Sequence, residues 1–259
     1  MMCYNPLVMW VWLLPVQGKG FGKPAKLIKV LLEKPVRPVK YYLHHQKKYL
    51  AALFLGLSAS LKLIPAMIIP AVKKATGWKK VIFISVVSGS IFIFLFSPVF
   101  LTGNLGHFLE STDLYYHKFE FNASIYFLLK WIGSMLNDTH PIVYASPILM
   151  GIFALVYIYI IFSRHELTVE NFCRSSFFIL TFYFMLSTTV HPWYILTVLF
   201  FSVMSGFKTG IVWSFLAFLS YAAYSGNQDL YYVMVILEYF ILFAWMIWEF
   251  RPSLLKRTS

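Results

Sequence analysis

The chain has 259 residues, of which 59% are apolar, 20% aromatic and 12% charged, with a mean hydropathy of +0.70. A soluble domain carries about 25% charged residues, so a water-soluble globular fold and a disordered chain are both excluded, and a polytopic membrane protein remains. The formal net charge of +12 is local, with nine Lys/Arg and one acid, Glu33, in residues 1–48; a basic stretch beside apolar spans meets lipid headgroups rather than nucleic acid.

Residues 3–16 are apolar but contain Pro6 and Pro15 and are too short for a span. They lack the basic n-region of a signal peptide. Residues 17–48 carry Gly18, Gly20, Gly22, Pro24, Pro35 and Pro38 among scattered lysines and read as a loop or a poorly ordered segment. Residues 1–48 therefore form an atypical basic Gly/Pro-rich segment, set apart from a membrane-embedded helical domain over residues 49–259.

Residues 49–72 are long enough to cross, yet Lys47 and Lys48 flank one end and Lys73 and Lys74 the other. A re-entrant hairpin turning near Lys62 and Pro65 keeps these lysines on one side and is preferred over a crossing. Apolar runs then predict spans over 81–101 and 141–162. Residues 175–207 are uncharged and far too long for one crossing, and Pro192 breaks the helical ladder near their middle. They are read as two short spans, 175–190 and 192–206, joined at His191-Pro192-Trp193-Tyr194. Spans over 210–225 and 230–250 follow. The fold class is all-α: a polytopic membrane helix bundle of about six to seven spans, with a re-entrant or interfacial segment.

Basic residues orient this bundle. Lys73, Lys74, Lys79, Lys80, Arg164, Arg174, Lys208, Arg251, Lys256 and Arg257 fall on one side, against Lys118 and Lys130 on the other. The first side is the cytoplasm and holds the C-terminus. Residues 102–140, 191–194 and 225–229 then lie together outside.

The external loop 102–140 holds His107, Glu110, Asp113, His117, Lys118, Glu120 and Asp138 beside Tyr115, Tyr116, Phe119, Phe121, Tyr126 and Trp131. Carboxylates accept hydrogen bonds from sugar hydroxyls and rings stack on sugar faces, so acids among aromatics suit a carbohydrate. An interfacial loop with headgroup-level aromatics is the alternative, and residues 122–136 could lie flat on the membrane. His191 at a proline-broken junction could bind a phosphate or transfer a proton, or simply sit in a turn anchored by Trp193 and Tyr194. Lys62 in an apolar segment points to a lipid phosphate or a helix C-terminus, or to a lysine that snorkels. Glu238 in the last span is expected to pair with a neighbouring helix. Cys3 and Cys173 give no disulfide framework or metal site, and no metal or other cofactor is expected. No internal repeat suggests a transporter.

Three strings occur in order between the apolar runs: Leu-Lys-Leu-Ile-Pro-Ala-Met-Ile-Ile-Pro at 61–70, Phe-Glu-Phe-Asn-Ala-Ser-Ile-Tyr at 119–126 and Val-His-Pro-Trp-Tyr at 190–194, with a short echo, Asn-Pro-Leu-Val, at 5–8. Together they resemble the bacterial polyprenol-phosphate-mannose-dependent mannosyltransferases of the GT-C superfamily of membrane glycosyltransferases. The resemblance covers residues 49–259. It implies a helix bundle in the bacterial plasma membrane that transfers a mannose-like hexose from a polyprenyl-phosphate donor to a glycan or lipid acceptor at the outer face. It also implies that Glu120 and Asn122 lie near the donor or acceptor sugar, His191 and Tyr194 near the lipid phosphate, and Lys62 at the inner wall of the bundle. Membrane lipids and lipid-linked sugar are the implied partners. The family's catalytic aspartate sits in the first external loop, after a first span, and this chain has no such loop. The chain is therefore expected to be a C-terminal piece of a longer protein, possessing the binding residues without the base. A flippase for lipid-linked sugar and a non-catalytic membrane subunit are the rival readings.

Overall fold

The computed structural model describes residues 48–103, 105–117, 119–135 and 141–255. The basic segment expected over residues 1–48 lies outside them except for Lys48, as do Lys118, Asp138, Lys256 and Arg257. Among the described residues the backbone is helical, without a strand, and forms two compact units: 48–102 with His165–Phe172, and 103–164 with 173–255.

In the first unit, α1 (Lys48–Leu61) leads into two 3₁₀ segments, Ile64–Ile68 and Pro70–Val72, then α2 (Lys73–Thr76) and α3 (Trp78–Leu101). Gly77, at φ +80°, makes the left-handed turn between α2 and α3 that a side chain would resist. Three contacts fix the direction of α1 against α3. The Tyr49 ring lies 5.0 Å from Phe83, the Ser88 hydroxyl donates to the Ala52 carbonyl at 2.9 Å, and Gly56 sits against the Ile91 side chain. The partner numbers rise together, so α1 and α3 are parallel, and the chain between them must travel back along α1. The 14 residues of α1 cover about 21 Å. The two 3₁₀ segments, of five and three residues, return through prolines 65 and 70 over about 16 Å of that at ~2 Å per residue. Ala52, Ile69, Val72, Val81 and Ile84 close the core between these limbs. This is an out-and-back hairpin with its tip at Lys62, each limb shorter than the ~30 Å hydrocarbon core.

In the second unit, α4 (Leu105–His117), α5 (Ile125–Met135) and α6 (Pro141–Phe162) precede α7 (Val169–Leu186), which enters it from Cys173. A 3₁₀ turn at Pro192–Tyr194 starts α8 (Ile195–Met204), and α9 (Thr209–Leu216) continues as a 3₁₀ segment, Ala217–Ser225, before α10 (Gln228–Leu255). The turn from α8 to α9 is tight. Ser202 donates its hydroxyl to the Phe207 carbonyl at 2.8 Å and accepts from the Gly210 amide at 2.9 Å. Glu249 of α10 takes the place of a capping side chain at the start of α9, accepting from the Lys208 and Thr209 amides at 2.6 and 2.9 Å. A carboxylate there satisfies orphan donors and meets the positive end of the helix dipole.

Among the described residues three helices are long and apolar enough to cross a membrane: α3, α6 over Ala145–Phe162, and α10 over Gln228–Arg251. Their large side chains stay open, as at Phe94, Leu155 and Phe240, which suits lipid rather than water. The remaining expected spans are shorter or less regular. α7 opens with Glu170 and Arg174 and stops at Leu186, and α8 has only 10 residues. The 209–225 stretch is different again. Its nine 3₁₀ residues rise more steeply than an α-helix, so with α9 the stretch reaches about 30 Å. Buried Ala217 and Ser220 sit three residues apart, the 3₁₀ period.

Gly210→Ala would place a methyl 2.5 Å from the Ser202 Cβ and 2.9 Å from the Leu199 Cα, whereas a Cβ at Gly151 of α6 meets nothing within 4 Å. Gly210→Ala is expected to cost about 1–3 kcal/mol of stability and Gly151→Ala nothing or a slight gain. Apparent melting temperatures in detergent compare the two.

Candidate functional site

Residues 119–121 leave the helical regime between α4 and α5 and run extended beside residues 188–190, and Asn122 then turns the chain. The Phe121 amide donates to the Thr188 carbonyl at 3.1 Å, and the Val190 amide donates to the Phe121 carbonyl at 2.7 Å. These bonds form a parallel bridge between Phe121 and Thr189. The Thr189 hydroxyl donates to the Phe119 carbonyl at 2.9 Å, and Ser124 donates to the Met185 carbonyl at 2.7 Å. The two strings singled out in the sequence are thus joined backbone to backbone.

Side chains alternate along this extended stretch. Phe119 and Phe121 face His191, at ring distances of 6.0 and 4.8 Å. His191 stacks on Trp193 at 4.4 Å with planes 9° apart and meets Tyr194 edge-on at 5.4 Å. Tyr194 in turn stacks on Phe184 at 5.8 Å. Tyr224 and Tyr231 reach the Phe121 ring at 6.5 and 6.2 Å. His191 holds the extended conformation that a following proline enforces, and Pro192 then opens the 3₁₀ turn.

Glu120 and Asn122 take the other direction. Glu120 accepts from the Tyr126 hydroxyl at 2.6 Å and from the Lys130 ammonium at 2.5 Å, with Lys130 the more exposed of the pair. Tyr126 and Lys130 sit one turn apart on α5, which brings both to one carboxylate. Burial, reinforced by the bond to Glu120, holds the Tyr126 phenol well above its ordinary pKa, so it remains a donor.

Asn122 is fully buried and adopts φ +49°, a left-handed conformation that asparagine tolerates better than most residues. Its amide donates to the Tyr231 hydroxyl and its carbonyl accepts from the Tyr239 hydroxyl, both at 2.7 Å. Its side-chain Nδ2 donates to Glu238 Oε1 at 3.1 Å, and the same oxygen accepts from Trp213 Nε1 at 3.2 Å. The sequence expectation that Glu238 pairs with a neighbouring helix is met through Trp213 of α9.

Of the sequence-selected residues, Glu120, Asn122, His191 and Tyr194 come together in the second unit. Lys62 lies in the first unit, exposed at the hairpin tip. His107 and Glu110 pair with each other at 3.6 Å on an exposed face of α4. Tyr231 and Tyr239 escaped the sequence reading. Tyr231, Val235, Glu238, Tyr239 and Leu242 share the helical spacing of one face, which is the signal that could have found them. Among the described residues no three His, Cys, Asp or Glu side chains gather in a way that would hold a metal ion.

Comparison with protein-family models, with curated proteins and with solved structures found no match.

Tyr239→Phe leaves the enclosed Asn122 carbonyl without its donor and is expected to cost about 1–3 kcal/mol. Tyr224→Phe, at a ring that is 71% exposed, is expected to leave the apparent melting temperature unchanged.

Proposed function

We propose that the end of the second unit carrying residues 119–126 and 190–194 binds a polyprenyl-phosphate-linked hexose, mannose-like in kind, for transfer to a glycan or lipid hydroxyl at the outer membrane face. One observation carries this reading: the backbone pairing of 119–121 with 188–190 sets a carboxylate with its cation on one side of the segment and an array of rings on the other, at one end of the unit. Glu120 supplies acceptors and Lys130 donors for sugar hydroxyls. His191, Trp193 and Phe119 supply flat faces for the pyranose ring. Lys130 supplies positive charge and the His191 imidazole an N–H donor for the lipid phosphate.

The acid- and ring-rich end is the outer one in this reading. At the opposite end of the unit, Arg174 lies over the Phe207 ring at 5.2 Å, and Phe207 packs on Phe250 beside Arg251 at 5.3 Å. Lys208 joins Glu249 there. Basic residues gathered at one end support a cytoplasmic placement for it, and with it for the C-terminus. The bacterial plasma membrane is the matching location.

Hexosyl transfer requires a base to take the acceptor hydroxyl's proton as that oxygen bonds to the anomeric carbon and the anomeric carbon–phosphate oxygen bond breaks, releasing polyprenyl phosphate with the electron pair. Glu120 is held by Lys130 and Tyr126, an arrangement suited to binding hydroxyls rather than to removing a proton. This favours a second reading, in which the chain binds the lipid-linked sugar and a partner or preceding segment supplies the base.

Purified protein with radiolabelled polyprenyl-phosphate mannose tests both. Saturable binding is expected, weakened about tenfold or more by His191→Ala. No saturable binding, or unchanged affinity in that variant, overturns the assignment. Labelled product separates transfer from binding alone, and label moving between leaflets points to a flippase instead. In a background with Cys3 and Cys173 replaced, Asn227→Cys is expected to react with an impermeant maleimide from outside and Ser163→Cys is not; the opposite pattern inverts the map.

A further inference from the structure

The Glu238 carboxyl is fully enclosed, 0% exposed, in the middle of α10. Oε1 accepts two hydrogen bonds, from Asn122 Nδ2 and Trp213 Nε1. Oε2 is buried without a donor, and so is Asn122 Oδ1, the other oxygen of the same side-chain pair. The groups facing this carboxyl are Trp213 from α9, Asn122 from the extended segment, and Tyr231 and Tyr239 from α10 itself. Both phenols are engaged with the Asn122 backbone, Tyr239 as donor and Tyr231 as acceptor. Among the described residues no Lys, Arg or His forms an ion pair with Glu238; the cation nearest in role, Lys130, is bonded to Glu120.

An ionised carboxylate in such an enclosure, with one oxygen facing no donor, is far more costly than the neutral acid. A proton on Oε2 makes that atom a donor. The acceptor that lacks a donor is Asn122 Oδ1, on the side chain already bonded to Oε1. A carboxylic acid and a primary amide then close a ring of two antiparallel hydrogen bonds, N–H to carboxyl oxygen and O–H to amide oxygen. Both orphan oxygens are satisfied in one step, as buried polar groups generally are.

We propose that Glu238 is a positioning residue that, as a neutral carboxylic acid, pairs through two hydrogen bonds with the Asn122 side-chain amide and so fixes the 119–122 segment to α10. Asn122 holds a left-handed backbone conformation that the surrounding bonds must maintain. The acid–amide pair grips its side chain while Tyr231 and Tyr239 grip its backbone. Glu120 and Phe121, on either side of the site, take their directions from this anchor. The pairing stands whatever the segment binds; its effect on donor affinity rests on the function proposed above.

Infrared difference spectra of wild type against Glu238→Gln at neutral pH test the protonation. A protonated-carboxyl stretching band present in wild type and lost in the variant is expected. Its absence from wild type means a charged Glu238 and overturns the proposal. Hydrogen exchange tests the anchoring. Gln offers the same acceptor and donor pattern as the neutral acid, so Glu238→Gln is expected to keep wild-type protection at the Phe121 and Asn122 amides, whereas Glu238→Ala raises their exchange about tenfold or more. Equal exchange in the two variants overturns the positioning role. If the alanine variant does not fold, Glu238→Asp, which withdraws the acid by one methylene, takes its place. Binding of polyprenyl-phosphate mannose is expected to follow the same order, retained in Glu238→Gln and lost in Glu238→Ala. Should wild type itself fail to bind that probe, the function proposed above falls, while the infrared and exchange results still decide the role of Glu238.

Discussion

Two stretches of non-helical backbone at one end of the second unit satisfy each other, and the arrangement of the site follows from that. A helix carries its hydrogen bonds within itself, but residues 119–122 and 187–191 do not, and polar backbone left bare near a bilayer costs several kcal/mol per group. The Phe121 amide and carbonyl resolve this by meeting the Thr188 carbonyl and the Val190 amide. Once that register is set, alternation sends Phe121 to His191 and leaves Glu120 and Asn122 to face α5 and α10. A slip by one residue would exchange the two sets. Ring platform, ion pair and buried anchor are therefore three results of one backbone contact.

The second unit also separates its charges along its length. Glu120 and Lys130 occupy the ring-rich end, and Arg174, Lys208, Glu249 and Arg251 occupy the other. Between them lies Glu238, an acid whose described partners, Asn122 and Trp213, carry no charge. Polar groups at membrane depth are expensive unless enclosed and bonded. Here the enclosure is made by α9, α10 and the extended segment together, so the polar core and the site share their supports.

The parts of this fold that could be read from sequence are those governed by local composition. The three long apolar helices stand out by composition: α3 and α6 each hold an uncharged run about as long as the hydrocarbon core is thick, and α10 is strongly apolar on both sides of its single interior acid, Glu238. The hairpin tip near Lys62 was readable because lysines flank both ends of residues 49–72 and prolines interrupt the return limb. Composition placed the break at His191-Pro192 between two helices, as the structure has it, but not their ends: the first runs Val169–Leu186 and the second closes at Met204. At the site, Glu120, Asn122, His191 and Tyr194 were found through their strings. Their relation to one another was not readable, because the bridge joins segments far apart in the chain and leaves no periodic trace. Tyr231 and Tyr239 looked like ordinary interfacial rings until their hydroxyls were seen on the Asn122 backbone.

The long 3₁₀ segment Ala217–Ser225 has a mechanical consequence. Runs of this kind rarely exceed three or four residues because their hydrogen bonds are poorly aligned, and nine residues here sustain it. Each residue that reverts to α-geometry shortens the segment by roughly 0.5 Å, so full reversion would draw it in by about 4–5 Å. At this pitch the segment sets its Ser225 end about 4–5 Å farther from α9 than an α-helix of the same nine residues would, so the start of α10 is spaced by helix type and not by added residues.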